Sequence, residues 1–192
     1  MVAYYHQHAE EYFQRTVAID PSSFLTDFVR LLPPRATILD LGCGSGRDLR
    51  WLRQQGFAGT GLEQSPALAR LAAEHSGCPV ITGDFETFDF SQSSFDALLA
   101  SGSLVHTPHQ RLPGIISRAA RTLPPAGIFY ISLKQGRGHR TDALGRPFYY
   151  WQDPDLRALF ARIGLNILNF ATSNSALNSS DQWLAYVLHR SV

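Results

Sequence analysis

The stretch Ala36–Asp48, ATILDLGCGSGRD, decides the fold. Ala36 to Leu41 is a short apolar run containing β-branched residues directly after Pro33-Pro34, which predicts a strand. Arg47 to Gln55 (RDLRWLRQQ) reads as a helix that Gly56 closes. Between them, glycines at 42, 44 and 46 let the backbone turn tightly and let a ligand approach with no Cβ in the way. Strand, glycine loop and helix form the opening unit of an open α/β sheet, whose ligands bind at the carboxyl ends of the strands.

Outward from this unit the elements keep alternating. Ala58–Leu62 reads as a second strand ending at Glu63, and Pro66–His75 as a helix that Ser65 caps with Pro66 in its first position. Pro79–Thr82 and Phe95–Ala100 read as strands, Gln110–Leu123 as an amphipathic helix stopped by Pro124-Pro125, and Gly127–Leu133 as a fifth strand. A Gly- and Arg-rich loop, Gly136–Pro147, then interrupts the order. A helix over Asp153–Arg162 and two strands, Leu165–Ala171 and Gln182–His189, close the chain, with the polar connection Thr172–Asp181 suited to a hairpin. Upstream, Tyr4–Thr16 and Ser22–Leu31 are helical segments that the sheet does not require and that can cover a site. Alternation of this kind predicts a mostly parallel sheet with crossover helices.

The 192 residues, 44% of them hydrophobic and 17% charged, suit one well-cored domain: a helical cap over 1–34 and a core over 35–192. No signal peptide or membrane span is readable, and two cysteines, Cys43 and Cys78, make neither a disulfide framework nor a zinc pattern, so the expected location is the cytoplasm. The net charge of +1 hides an uneven distribution, because residues 101–150 hold six Arg and one Lys against Asp142 alone. Such a field either steers an anionic ligand or forms a solvated face. Lys134 is the sole lysine beside sixteen arginines, which suits a position needing a compact point charge.

The glycine spacing is G-x-G-x-G, without the G-x-G-x-x-G dinucleotide fingerprint or a following G-K-[ST], so a phosphate cradle is unsupported. N–H groups at a helix start equally suit the carboxylate of an amino-acid-bearing cofactor. Glu63, twenty-one residues beyond Gly42, stands where an acid accepts both hydrogen bonds of a ribose diol. Gly83-Asp84-Phe85 follows the third strand, placing Asp84 to accept from an adenine amino group and Phe85 to pack beside the base. A strand-end acid also suits a helix cap, and Asp84 also suits a turn.

These motifs resemble the class I S-adenosylmethionine-dependent methyltransferase family across nearly the whole chain. ILDLGCGSGRD at 38–48 is similar to its first motif, GLEQSP at 61–66 to its acidic ribose motif, and GDFETF at 83–88 to its adenine motif. FDALLASGSLVHTP at 95–108 and RTLPPAGIFYISLK at 121–134 resemble the fourth motif and the turn into strand five, with Ala126 where a glycine is usual. The resemblance implies a Rossmann-like three-layer α/β sandwich: a seven-stranded, mostly parallel sheet with a C-terminal antiparallel hairpin and an N-terminal helical cap. It also implies S-adenosyl-L-methionine as cofactor, leaving as S-adenosyl-L-homocysteine, held by Asp40, Gly42, Cys43, Gly44, Gly46, Glu63, Gln64, Ser65, Asp84, Phe85 and Ser101. Tyr5-x-x-x-Ala9-x-x-Tyr12 is similar to the opening helix of the small-molecule branch, which implies Tyr12 and Arg15 at the cofactor carboxylate.

Methyl transfer from a sulfonium leaves the protein mainly to position the nucleophile, exclude water and accept a proton. His106, beyond the fourth strand, is the candidate proton acceptor or else a packing histidine, and Lys134 at the end of strand five can bind a substrate carboxylate or phosphate. No Asp, Glu or Cys joins His106-x-x-His109 or His6-x-His8 at metal-ligand spacing, so no metal is expected. The expected acceptor is a small molecule, anionic if the basic stretch steers it, with no membrane partner. A tRNA or other nucleic-acid methyltransferase draws support only from the basic stretch, since Ala100-Ser101-Gly102-Ser103 replaces the N/D-P-P-Y/F motif of base-amine methylation. The sequence also admits a protein methyltransferase or a non-catalytic cofactor-binding module.

Overall fold

Three short helices, α1 (Val2–Gln7), α2 (Ala9–Thr16) and α3 (Ser22–Val29), precede β1 (Thr37–Leu41) and α4 (Arg47–Gln54). The chain continues through β2 (Ala58–Glu63), α5 (Pro66–Ser76), β3 (Val80–Thr82), β4 (Ala97–Ser101), α6 (Leu112–Ala120) and β5 (Ile128–Lys134). A small hairpin, β6 (His139–Thr141) and β7 (Pro147–Tyr149), is followed by α7 (Asp153–Arg162), β8 (Leu165–Asn174) and β9 (Gln182–Arg190). This computed structural model describes residues 2–92, 94–177 and 180–191. Positions 1 and 192 of the expected domain, and 178 and 179 of the connection expected over Thr172–Asp181, lie outside the described residues.

The seven-stranded sheet has the order β3-β2-β1-β4-β5-β9-β8. Its first five strands are parallel, while β9 runs antiparallel to both β5 and β8. The chain winds one way from β1 to β3 and the other way from β4, so the strand order reverses between β1 and β4. That reversal opens a crevice at their carboxyl ends, where open α/β sheets bind ligands.

Strand alternation sorts the core into two faces. Leu39, Leu41, Leu98, Phe129 and Ile131 pack on one side against Ile115, Ile116 and Ala119 of α6 and Leu156, Leu159 and Phe160 of α7. Ile38, Ala97, Leu99 and Tyr130 pack on the other against Leu25 and Phe28 of α3 and Leu52 of α4. The result is the helix–sheet–helix sandwich expected from the alternation.

Several boundaries differ from the expectations for physical reasons. The segment Tyr4–Thr16 is two helices, because His8 leaves helical geometry (φ −118°, ψ 29°) and stacks its ring 4.8 Å from that of Tyr4. The loop expected over Gly136–Pro147 holds β6 and ends where its partner β7 begins. Asp142 closes its turn, accepting from the backbone N–H groups of Leu144 (3.0 Å) and Arg146 (2.9 Å), which three-residue strands do not announce by periodicity. The helix expected over Gln110–Leu123 is shorter, since residues 121–123 tighten into a turn with i→i−3 bonds.

Ala126, in the turn before β5, sits at φ 63°, a left-handed conformation that costs an L-residue with a Cβ about 1–2 kcal/mol. Ala126→Gly is expected to raise stability by about 0.5–1 kcal/mol, after the ~0.4–1 kcal/mol entropic penalty of adding a glycine. Urea denaturation should show a higher midpoint at unchanged slope.

Candidate active site

The loop between β1 and α4 is drawn against two other elements, β2 and α5. The N–H groups of Gly42 and Cys43 both donate to the Leu62 carbonyl (2.7 and 3.2 Å), tying the loop to β2. Gly46 starts α4 at φ 72°, and a Cβ there would lie 2.6 Å from the Ala72 carbonyl oxygen of α5, so only glycine fits. The Cys43 thiol turns away into the small core between α4, α5 and β2, where burial pushes its pKa well up. Cys43 therefore reaches the crevice by its backbone alone.

Glu63, at the end of β2, faces this loop. Its carboxylate accepts from Gly44 N–H (3.1 Å) and Ser65 N–H (2.9 Å), yet burial still raises its pKa. Ser65 caps α5 by accepting from Leu68 N–H, and its hydroxyl donates to the Tyr5 carbonyl (3.1 Å), fastening α1 to the same corner. Gln64 donates to Asp84 (2.7 Å), whose other oxygen accepts from Glu86 N–H (2.8 Å), so Asp84 serves as a turn residue and as Gln64's anchor. Phe85 lies 3.7 Å from the space a Gly42 side chain would take. Asp40 is buried beneath the loop, and burial together with nearby Asp48 pushes its carboxyl well above the carboxylate range.

A cavity of about 70 Å³ opens between Gly42, Gly44, Glu63, Phe85 and His106, roofed by Tyr5 and Tyr12. A pocket for a drug-sized ligand spans about 300–1,000 Å³, so the two tyrosines fill much of the crevice. Tyr12 sits 3.3 Å from the space above Gly44, and the tyrosine rings meet edge-on at 5.0 Å. A wider, more open cavity of about 560 Å³ lies beside the hairpin around His109, Arg137, Tyr150 and Trp151. The glycine loop and Glu63 do not reach it.

On the wall opposite the loop, His106 ends the helical turn Leu104–His106. Its Nδ1 is 2.6 Å from the Pro147 carbonyl and its Nε2 is 2.8 Å from the Tyr5 hydroxyl. A carbonyl only accepts, so Nδ1 carries the proton, Nε2 is an acceptor, and Tyr5 donates to it. Burial lowers the His106 pKa to about 4, with Arg146 and Lys134 adding to the effect. Arg146 pairs with Asp142 (2.7 Å) and stacks over Tyr4 (4.7 Å) and Phe148 (5.3 Å), joining the hairpin to α1.

Two expected residues sit differently. Arg15 is exposed on α2 and its nearest acid is Glu11 at 3.9 Å, whereas Arg47, inside the first motif but not among the residues expected at the cofactor, is a guanidinium acting on Tyr12. Lys134 pairs with Asp181 at 2.5 Å, their side chains only 11% and 16% exposed, and stands 4.1 Å over the Phe148 ring. An acceptor anion would have to compete with Asp181. Ser101 ends β4 half-buried, and the neighbouring Ser103 comes closest to the loop. Tyr5, Ser103 and Arg146 also line or brace the crevice, although the motifs do not mark them as cofactor or catalytic residues. Of these only Tyr5 carries a sequence signal, its seven-residue spacing from Tyr12, two helical turns on one face. Among the described residues no three His, Cys, Asp or Glu side chains gather as metal ligands, and no helix is long and apolar enough to cross a membrane.

A doubly wound sheet with a glycine loop at its switch point and an acid closing on it from β2 defines a Rossmann-like nucleoside-cofactor class. The sequence family described as "Methyltransferase domain" matches residues 38–127. The chain is 30% identical over 169 residues to 2-methyl-6-phytyl-1,4-hydroquinone methyltransferase of Synechocystis sp. (strain ATCC 27184 / PCC 6803 / Kazusa), covering 80% of this chain and 51% of that protein. The chain spans about half the length of the first curated relatives it matches. Its fold is shared with 1,6-didemethyltoxoflavin-N1-methyltransferase of Burkholderia thailandensis, solved with 1,6-didemethyltoxoflavin and S-adenosylhomocysteine (TM-score 0.78, 21% identity, 100% of this chain and 85% of that one). It is shared also with magnesium protoporphyrin IX methyltransferase of Synechocystis PCC 6803, solved with S-adenosylhomocysteine (TM-score 0.78, 15% identity, 99% and 98%). Over residues 38–127 the chain is similar to methyltransferase domains, and the relatives and structural neighbours it matches are methyltransferases.

The His106 pKa of about 4, against 6.5 for the free side chain, means that the unfolded chain binds more protons here between those values. The stability that His106 contributes is therefore complete above pH 6.5 and drains away as pH falls toward 4. Asp40 and Glu63, raised by burial, act in the opposite sense. The site-specific check is the His106 Cε1–H resonance, which should titrate with a midpoint near 4 in the folded protein. A midpoint near 6.5 would show the ring is not held neutral.

Proposed function

We propose that the chain is an S-adenosyl-L-methionine-dependent methyltransferase acting on a small molecule and releasing S-adenosyl-L-homocysteine. The observation carrying this reading is the convergence on one crevice of the loop at 42–46, the Glu63 carboxylate and an Nε2 acceptor on His106. The residues fit such a cofactor. Asp40 Oδ2 and Ser103 Oγ are buried without a hydrogen-bond partner among the described residues, and a Cβ at Gly42 or Gly44 would meet Ser103 at 2.6 Å or Tyr12 at 3.3 Å, so glycine keeps the loop backbone bare at the crevice.

In this reading the glycine-loop backbone and Tyr12 face the cofactor's carboxylate, with Arg47 rather than Arg15 as the nearby cation. Glu63 takes the ribose hydroxyls, with Gln64 and Ser65 holding its strand end, and Asp84 and Phe85 flank the adenine. The cofactor supplies an electrophilic methyl group on a sulfonium. The chain's own residues orient the acceptor, exclude water under α1, α2 and the hairpin, and take up a proton at His106 Nε2. We read residues 1–34 as the cap and 35–192 as the core of a single domain.

The covered crevice favours a small acceptor over a nucleic acid. The charges of residues 101–150 also disperse: Arg111 pairs with Glu86, Arg146 with Asp142, Lys134 with Asp181, and Arg118 bonds the Phe85 and Glu86 carbonyls. Two free, buried cysteines support work in a reducing cytoplasm.

Calorimetry should show S-adenosylhomocysteine binding at one site per chain. Glu63→Ala should weaken that binding by roughly ten- to a hundred-fold, the loss expected for hydrogen bonds to a charged acceptor. Unchanged affinity in a variant with wild-type circular dichroism would remove Glu63 from the site.

A further inference from the structure

His106 is prepared as a hydrogen-bond acceptor, and a phenol already occupies it. The Pro147 carbonyl at 2.6 Å fixes the proton on Nδ1, leaving the Nε2 lone pair directed into the crevice. The group on that lone pair is the Tyr5 hydroxyl, at 2.8 Å. Tyr5 rides on α1, a six-residue helix separated from α2 by the break at His8. The crevice around it holds only about 70 Å³, so Tyr5 must shift before any adenosyl ligand enters. Its departure frees Nε2 for another donor.

The surroundings restrict what that donor can be. A carboxylate has no proton to give Nε2, and the donor that this lone pair already holds is a phenol. The lining beside His106 is aromatic, with Tyr5, Tyr12 and Phe85 around the crevice and the Phe148 ring packed behind His106 at 4.5 Å between ring centres. Flat apolar walls with one polar acceptor orient a planar ligand by a single edge group. We propose, resting on the methyltransferase reading above, that the methyl acceptor is a planar hydroxyarene whose O–H replaces the Tyr5 phenol on His106 Nε2. The acceptor oxygen bonds to the methyl carbon as that carbon's bond to sulfur breaks, and the bonding pair stays on sulfur as a neutral thioether. The O–H proton passes to Nε2, giving an imidazolium whose Nδ1–H remains on the Pro147 carbonyl. Lys134 and Arg146 disfavour that imidazolium, so the proton is held at Nε2 only transiently.

The test is calorimetric binding to the full chain saturated with S-adenosylhomocysteine, using naphthol, its methyl ether, the matching naphthoate and naphthylmethylamine. Naphthol should bind about ten-fold tighter than its methyl ether, the difference made by one buried hydrogen bond. Tyr5→Phe should leave the preference for naphthol over the ether intact, since Tyr5 has already left Nε2 in that complex, whereas a Tyr5 hydroxyl that itself held the naphthol oxygen would lose that preference. His106→Leu should erase the preference for naphthol over the ether. Equal binding of naphthol and ether, or tighter binding of naphthoate or the amine, to the wild-type chain overturns the proposal without help from any variant. Failure of S-adenosylhomocysteine itself to bind overturns the methyltransferase reading, and the proposal with it.

Discussion

The turn at Gly42–Gly46 is the constraint on which the site depends. Within five residues the chain leaves β1, places two N–H groups on the Leu62 carbonyl, offers a third to Glu63, and starts α4 against the backbone of α5. At Gly46 the backbone comes closer to Ala72 than a side chain permits. The same turn lies beside the end of β4, where the strand order reverses, so the loop's free edge faces His106 across the crevice. Moving any partner would displace the N–H groups relative to Glu63, and preorganisation of such donors is what makes a polar site effective.

The roof is built from separate parts of the chain. Tyr5 and Tyr12 come from the amino-terminal helices, and Pro147 and Arg146 from the hairpin between β5 and α7. One chain of hydrogen bonds, Tyr5 to His106 to Pro147, runs through both and passes over the crevice. Arg146, stacked between Tyr4 and Phe148, joins them a second time. Opening for a ligand therefore loosens contacts to both the helix and the hairpin, a coupling suited to admitting cofactor and acceptor through one cover.

The sheet was largely legible in the sequence because each parallel strand is a short apolar run punctuated by Gly, Pro or an acid, and strand order follows from crossovers. The loop and Glu63 were legible for the same reason, since their spacing is local. The cover was not. Neither the His8 break nor the three-residue strands of the hairpin disturb periodicity enough to be read, because tertiary contacts of Tyr4, Asp142 and Arg146 decide both. Lys134 stood out by its rarity, but its partner Asp181 lies forty-seven residues away, and nothing in local sequence pairs them. Arg47 was overshadowed by the glycines it follows, although α4's first residue necessarily stands beside the loop.

The most direct measurement is a crystal structure of the chain with S-adenosylhomocysteine. The carboxylate should lie against the glycine loop at residues 42–46, the ribose hydroxyls on Glu63, and the sulfur on the His106 side, with the 2.8 Å Tyr5–His106 bond opened. A ligand seated instead in the wider cavity beside Arg137, with Tyr5 still bonded to His106 and Gly44 still closed on Glu63, would contradict the central role given to the glycine loop.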